Sequence, residues 1–361
     1  MLKFVFIGIV LLHGLIHFMG FAKAFGYGNI TQLTKEISKP AGGLWMLTAW
    51  MFIAVVALFL FKIENWWVLG ILAAVVSQVL IFSVWQDAKF GTIANVLVLA
   101  VSLLSMTNML FERSYRKDVT TNLERTRALS PALLTETDIQ GLPALVQGYL
   151  RYSGVLNKPK VHSMRVVFEG QMRDKGKDWF PFRSEQFNFF DEPTRLFFMK
   201  GKMFGLTVPG YHRYVDATAT MDIRLFGLFP VVKQSGAVMN KTETVTLFND
   251  MCLMAPASLI DPRITWKIID STSVEATFTN KGITISAILY FNEEGQLTNF
   301  ISNDRTSVSQ MAEFPFSTPV SEYENLNGRN VMKKGDAVWH YPEGEFIYGR
   351  FLLKSIEYNC Q

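Results

Sequence analysis

The sequence predicts a membrane bundle of four α-helices followed by an α+β domain dominated by a curved antiparallel β-sheet. Four charge-free apolar runs, each near the roughly 20 residues a helix needs to cross a hydrocarbon core, crowd the first third of the chain. From Glu112 onward Lys, Arg, Asp and Glu recur throughout, as in a water-solvated domain. Beyond about residue 154 the hydrophobic period becomes alternating, over a series of short and closely spaced segments. The 361 residues accommodate a bundle over 1–112, a juxtamembrane linker over 113–140 and a β-rich domain over 141–361.

The spans run from Phe4 to Phe21, Ala41 to Phe61, Trp66 to Trp85 and Phe90 to Phe111. The connections Lys62–Asn65 and Gln86–Lys89 leave room only for tight helix hairpins. Trp66, Trp67 and Trp85 stand at span ends, where an amphipathic ring sits at headgroup level. A cleavable signal peptide over Met1 to Ala24 is the competing reading, with Lys3 before an apolar run and Ala22-Lys23-Ala24 as a small-x-small site. Against it stand the length of the run, the bulky Phe21 and Phe25, and the spans that follow at once.

Orientation follows from basic residues near span ends. One side holds Lys3, Lys62, Arg113, Arg116, Lys117, Arg125 and Arg127, the other Lys23, Lys35, Lys39 and Lys89. The bias places the β-rich domain in the cytoplasm, and it rests on the segment after the fourth span.

Polar groups inside the spans are costly in hydrocarbon and face the bundle interior. His13 and His17, four apart, lie on one face of the first helix, where they could share a metal ion or pass a proton. Gln78 lies mid-span in the third helix, and Asn95 and Asn108 lie in the fourth. The plainer reading is that all of them hydrogen-bond between helices. A third intramembrane His is missing from the sequence, so no metal site is predicted.

In the β-rich part, Pro143 suits a helix first turn, and Leu142, Leu145, Val146, Tyr149 and Leu150 make an apolar stripe, so a short helix ends at Gly154. Strands are predicted at Met164–Met172, Trp179–Phe190, Thr194–Lys202, Tyr211–Leu225, Ile264–Ile269, Val274–Thr279, Ile283–Phe291, Leu297–Asp304, Ser321–Asn327, Val331–Tyr341 and Gly349–Glu357. Turn residues such as Asn327-Gly328 and Pro342-Glu-Gly344 separate them, and the close spacing favours an antiparallel meander. One helix interrupts the strands from Lys241 to Ile260, with Val245, Phe248, Met251, Cys252, Met254 and Ala255 on its apolar side. A curved sheet with a helix against it either encloses an apolar cavity, which methionines and aromatics would line, or is filled as a core.

Motifs for chemistry are sparse. The sequence has no phosphate-binding glycine loop, nucleophile elbow or zinc-protease helix, and His162, His212 and His340 are scattered singly. Cys252 and Cys360 form no metal-type spacing. No cofactor and no catalytic residue is predicted. Charged residues among aromatics are the candidate ligand-binding set: Arg213, Asp216, Arg224, Arg263, Trp266, Tyr348 and Arg350. An arginine on a strand binds an anionic group, or it pairs with Asp216, Asp222 or Asp261 for structural reasons. A net charge of +4, much of it juxtamembrane, fits contact with anionic lipid and not with nucleic acid.

Several segments resemble a family of uncharacterised bacterial membrane proteins: His13-Gly-Leu-Ile-His17, Gly20-Phe-Ala-Lys-Ala-Phe25, Ser77-Gln-Val-Leu-Ile81 and Asp87-Ala-Lys-Phe-Gly91. Leu142-Pro-Ala-Leu-Val146, Tyr149-Leu-Arg-Tyr-Ser-Gly154, Pro262-Arg-Ile-Thr-Trp266 and Gly344-Glu-Phe-Ile-Tyr348 resemble the domain of unknown function that accompanies it. The resemblance implies a bacterial inner membrane and brings no activity or site residues. The strand plan is also similar to the half-barrel lipoprotein carriers, which hold acyl chains but work outside the cytoplasm, against the charge count. The leading expectation is a membrane-anchored protein whose β domain holds a lipid or other apolar ligand without chemistry. The alternatives are an enzyme on a membrane-embedded substrate, using His13, His17 or the sheet arginines, and a structural or regulatory partner of another membrane protein.

Overall fold

The computed structural model of the chain describes residues 2–203, 205–308 and 310–361. The four apolar runs form helices α1 (Leu2–Phe25), α2 (Lys39–Leu60), α3 (Trp66–Ser83) and α5 (Gly91–Thr126), each long and apolar enough to cross a membrane. A single turn, α4 (Trp85–Ala88), joins α3 to α5. Ser38 caps α2 by accepting the Ala41 N–H, and Pro40 occupies the first turn, where its missing N–H costs nothing. The Trp45 ring of α2 lies against the backbone of α1 at Gly20, where a Cβ would stand 2.2 Å from it. Van der Waals fit of this kind is what holds helices together where no water drives them.

Helix α5 does not stop at Phe111. It continues through the charged residues to Thr126, so the first part of the expected linker is helical. The chain divides into two compact units at the same place, one up to Phe111 together with Phe226–Leu228, the other comprising Glu112–Leu225 and Phe229–Gln361. The last turns of α5 belong to the second unit and pack on its sheet. Tyr115, 1% exposed, stacks on Phe198 with centroids 5.2 Å apart, and the Asp118 carboxylate accepts from the Tyr211 hydroxyl at 2.7 Å.

Two short helices follow. α6 (Glu136–Ile139) begins with a Thr135–Asp138 capping box, and α7 (Ala144–Tyr152) buries Val146, Tyr149 and Leu150 from the expected stripe. Next come β1 (Ser163–Met172), β2 (Phe180–Phe189), β3 (Thr194–Met203), β4 (Leu206–Val215), β5 (Thr218–Leu225) and β6 (Phe229–Ser235). Helix α8 (Ala237–Met254) separates these from β7 (Ile264–Ile268), β8 (Ser273–Asn280), β9 (Ile283–Phe291) and β10 (Leu297–Ser302). The short β11 (Thr306–Ser307), β12 (Ala312–Glu313) and β13 (Phe316–Ser317) precede β14 (Val320–Leu326), β15 (Arg329–Tyr341) and β16 (Gly344–Tyr358).

One antiparallel sheet takes all but β11 and β12, in the order β6-β5-β4-β3-β2-β1-β16-β15-β13-β10-β9-β8-β7, with β14 also on β15. Its central seam is β1 against β16, where Gly170 permits an approach that a Cβ, 2.0 Å from the Arg350 carbonyl, would forbid. Helix α8 packs on strands of both wings, β4–β6 on one side and β9, β10 and β15 on the other. The sheet is therefore curled into a half-barrel round the helix, with β6 and β7 as its open edges.

Three further departures from the expected pattern have a local cause in the sequence. The single strand expected over Tyr211–Leu225 is two, β4 and β5, because Asp216 and Ala217 both adopt the left-handed conformation, at φ 54° and 55°, and turn the chain. β6 was hidden by Pro230, which an edge strand tolerates because no partner needs its N–H on the open side. The expected helix Lys241–Ile260 starts earlier and breaks at Ala255 ahead of Pro256, beyond which Pro256–Ile260 is 3-10. Between α8 and the second wing, Phe248 stacks on Phe278 at 5.4 Å and meets Phe300 edge-on at 5.9 Å, all three fully buried in the core.

Candidate functional site

The half-barrel is not filled. Between α8 and the concave face of the sheet lies a cavity of about 640 Å³, within the range of small-molecule sites. Strand alternation supplies its apolar wall. On β3, Phe197 and Met199 point inward between outward-facing Phe198 and Lys200; Met221 and Ile223 do the same on β5, and Met332, Trp339 and Phe351 complete the wall from β15 and β16. Methionine and aromatic side chains make such a wall adaptable in shape.

The helix wall is different. Thr242, Glu243, Thr246, Asn249 and Asp250 recur at helical spacing, so α8 carries a polar stripe along the cavity, while Val245, Phe248 and Cys252 face the core. Arg195, inward on β3, meets this stripe. Its Nε donates to Asp250 at 2.7 Å, Nη1 to Glu243 at 3.1 Å and Nη2 to the Gln186 amide oxygen at 3.1 Å. Gln186 and Asn188 also donate to Asp250, at 2.7 and 3.0 Å, and His212 Nδ1 lies 3.2 Å from Glu243. Burial raises the Glu243 carboxyl, but the Arg195 charge and the His212 bond outweigh it and hold it at about 2. Asp250 moves the other way. Burial pushes its carboxyl up, and the neighbouring Glu243 charge adds to that against the pull of Arg195.

A second cation borders the cavity. The Arg305 guanidinium lies 3.9 Å from the Phe316 ring centroid and 5.3 Å from that of Trp339, and Nη1 donates to the Tyr348 hydroxyl at 2.8 Å.

Of the candidate ligand-binding residues, Tyr348 alone lines this cavity. Arg213 is paired with Asp118 at 3.0 Å, Arg224 with Asp222 and Arg263 with Asp261, the last also donating to the Phe190 carbonyl. Asp216 pairs with Lys281 at the β4–β5 turn, Trp266 packs against the core from β7, and Arg350 is exposed and stacks on Trp179 at 4.6 Å. These residues do not form one site. Sequence reasoning missed Arg195, Glu243, Asp250 and Arg305. A signal was present for three of them: a polar stripe on an otherwise apolar helix, and an arginine in phase with Phe197 and Met199.

In the bundle, His13, His17 and Gln78 join one network. His17 Nδ1 donates to the His13 carbonyl at 2.8 Å, which leaves Nε2 to accept from the Ser77 hydroxyl at 2.9 Å. His13 Nε2 then donates to the Asn95 amide oxygen at 2.9 Å, Asn95 donates to Gln78 at 3.0 Å, and Gln78 to Thr92 at 3.1 Å. The chain of bonds is satisfied with both imidazoles neutral, the interhelical role of polar groups in hydrocarbon.

No curated protein sequence matches the chain. Among solved structures, an outer membrane lipoprotein-sorting protein domain from Vibrio parahaemolyticus aligns at 8% identity and a TM-score of 0.36, covering 59% of this chain and 90% of its own. A LolA superfamily protein from Nitrosomonas europaea aligns at 11% identity and the same TM-score, covering 59% and 93%. Residues 132–351, which hold every strand up to most of β16 and both walls of the cavity, match the family of unknown function DUF6544, and the chain belongs to that family.

Proposed function

We propose that this protein is a membrane-anchored binding protein, whose half-barrel holds a lipid or another apolar molecule and performs no chemistry on it. The observation that carries this reading is the cavity of about 640 Å³ between α8 and the Met- and aromatic-lined concave face. An apolar wall of this extent left against water is costly, because its surface stays hydrated where a ligand, or closure of the sheet on α8, would remove it from water. The polar stripe on the opposite wall suits an amphiphile better than a pure hydrocarbon. The four helices would keep the domain at the bilayer that supplies the ligand, in the inner membrane of a bacterium with the β domain on the cytoplasmic side, as the Lys and Arg distribution favours.

The test is native mass spectrometry with lipid extraction on the full chain released from detergent, beside a Met221→Trp variant. Met221 lines the cavity, and an indole there would occupy it. A bound acyl species that survives detergent release in the parent and vanishes in the variant supports the reading. Equal, loosely held lipid in both would end it.

A further inference from the structure

Arg305 differs from the other cations that border the cavity. Arg195 is committed to two carboxylates, Lys233 is exposed, and Arg173 is sandwiched between Trp179 and Phe346 with its Nε on the Ile347 carbonyl. Arg305 has no carboxylate within ion-pair distance among the described residues, and its single side-chain hydrogen bond there is the one to Tyr348. Its Nε is buried with no hydrogen-bond partner among the described residues. Glu243 feels its charge but is already bound to Arg195 and His212. Phe316 and Trp339 hold the guanidinium by its face, which leaves its edge donors for a ligand. A planar guanidinium fixed in this way matches a carboxylate or phosphate edge, and one left without an anion in an apolar surround is costly.

We propose that the cavity takes a single-chain amphiphile with an anionic head, its chain along the Met- and aromatic-lined sheet and its carboxylate or phosphate on Arg305. This rests on the cavity being the ligand site. The volume agrees with one chain: a methylene fills about the space of a liquid water, roughly 30 Å³, so the cavity holds about twenty such groups.

The experiment measures displacement of a fluorescent apolar probe from the full chain in amphipol, by oleate, oleyl phosphate and oleyl alcohol, in the parent, Arg305→Gln and Arg173→Gln. The expected result is that the parent binds the two anions about tenfold to a hundredfold more tightly than the alcohol, the span of a hydrogen bond to a charged group. Arg305→Gln should lose that preference while keeping its affinity for the alcohol, which shows that its cavity is intact, and Arg173→Gln should keep it. Preference between oleate and oleyl phosphate then separates a fatty-acid ligand from a phosphate head. Equal binding of anions and alcohol by the parent, or a preference that survives Arg305→Gln, overturns the assignment and leaves the cavity reading standing. Failure of all three compounds to displace the probe overturns both.

Discussion

Glu243 and Asp250 lie two turns apart on one face of α8 and share a single guanidinium, that of Arg195, yet their carboxyls are moved in opposite directions. One cation stands between two buried anions. Glu243 has His212 as a further partner and stays ionised, whereas Asp250 has in addition, among the described residues, only neutral amides and resists ionisation.

The linkage has a definite sign. Glu243 has a folded value of about 2 against an ordinary 4.5, so its contribution to stability is complete above 4.5 and is lost as pH falls toward 2. Asp250, raised, works oppositely: its contribution is complete below 3.8 and is lost as pH rises through its folded value. Glu243→Gln is expected to cost about 3 kcal/mol at neutral pH, since it removes one partner of a buried pair, and to flatten the acid limb between pH 4.5 and 2. Denaturant titrations at a series of pH values check both. An unchanged acid limb would refute the assignment.

The core under α8 gives a second expectation. Phe248→Ala deletes a fully buried ring that stacks on Phe278 and meets Phe300 edge-on, and should cost about 3–5 kcal/mol. Thermal unfolding of the β domain, followed by near-ultraviolet circular dichroism, would register it.

In the bundle, Ser77→Ala removes the hydroxyl that serves His17 and lies 3.2 Å from His13. A loss of about 1–2 kcal/mol in detergent unfolding is expected if the network is interhelical glue. Loss of a cellular phenotype at normal protein levels in His13→Ala or His17→Ala would instead favour an enzyme with its site in the membrane.

Gly20→Leu tests the contact between α1 and α2. With a Cβ already 2.2 Å from the Trp45 ring, the larger side chain must displace that ring and the part of α2 that carries it, at about 1–3 kcal/mol. Cross-linking between cysteines placed on α1 and α2 should fall, and a normal yield would contradict the close packing.

What the sequence reveals differs along the chain. The four spans are legible because hydrocarbon demands length and apolarity together, and few charge-free runs meet both. The alternation in Ile283–Phe291 is legible because one face meets the core, with Ile285, Ala287, Leu289 and Phe291 buried. The β4–β5 turn is not, since Asp216-Ala217 carries no glycine and the alternation runs straight through it. The site is harder still. Arg195 meets Glu243 and Asp250 only because β3 and α8 face each other across the half-barrel, and no local pattern records which strand lies opposite which turn of a helix.

The seam between β1 and β16 sets an order of events for the making of this protein. Met164 pairs with Tyr358, so the wing β1–β6 can form as a local meander while the second wing is still being synthesised, but the two cannot join until β16 exists. Until then β1 is an open edge, and the wall that β16 gives the cavity is missing. The cavity is thus completed only when translation reaches its closing strand, and a nascent chain stalled before β16 would be exposed to proteases and to pairing with its neighbours along that edge.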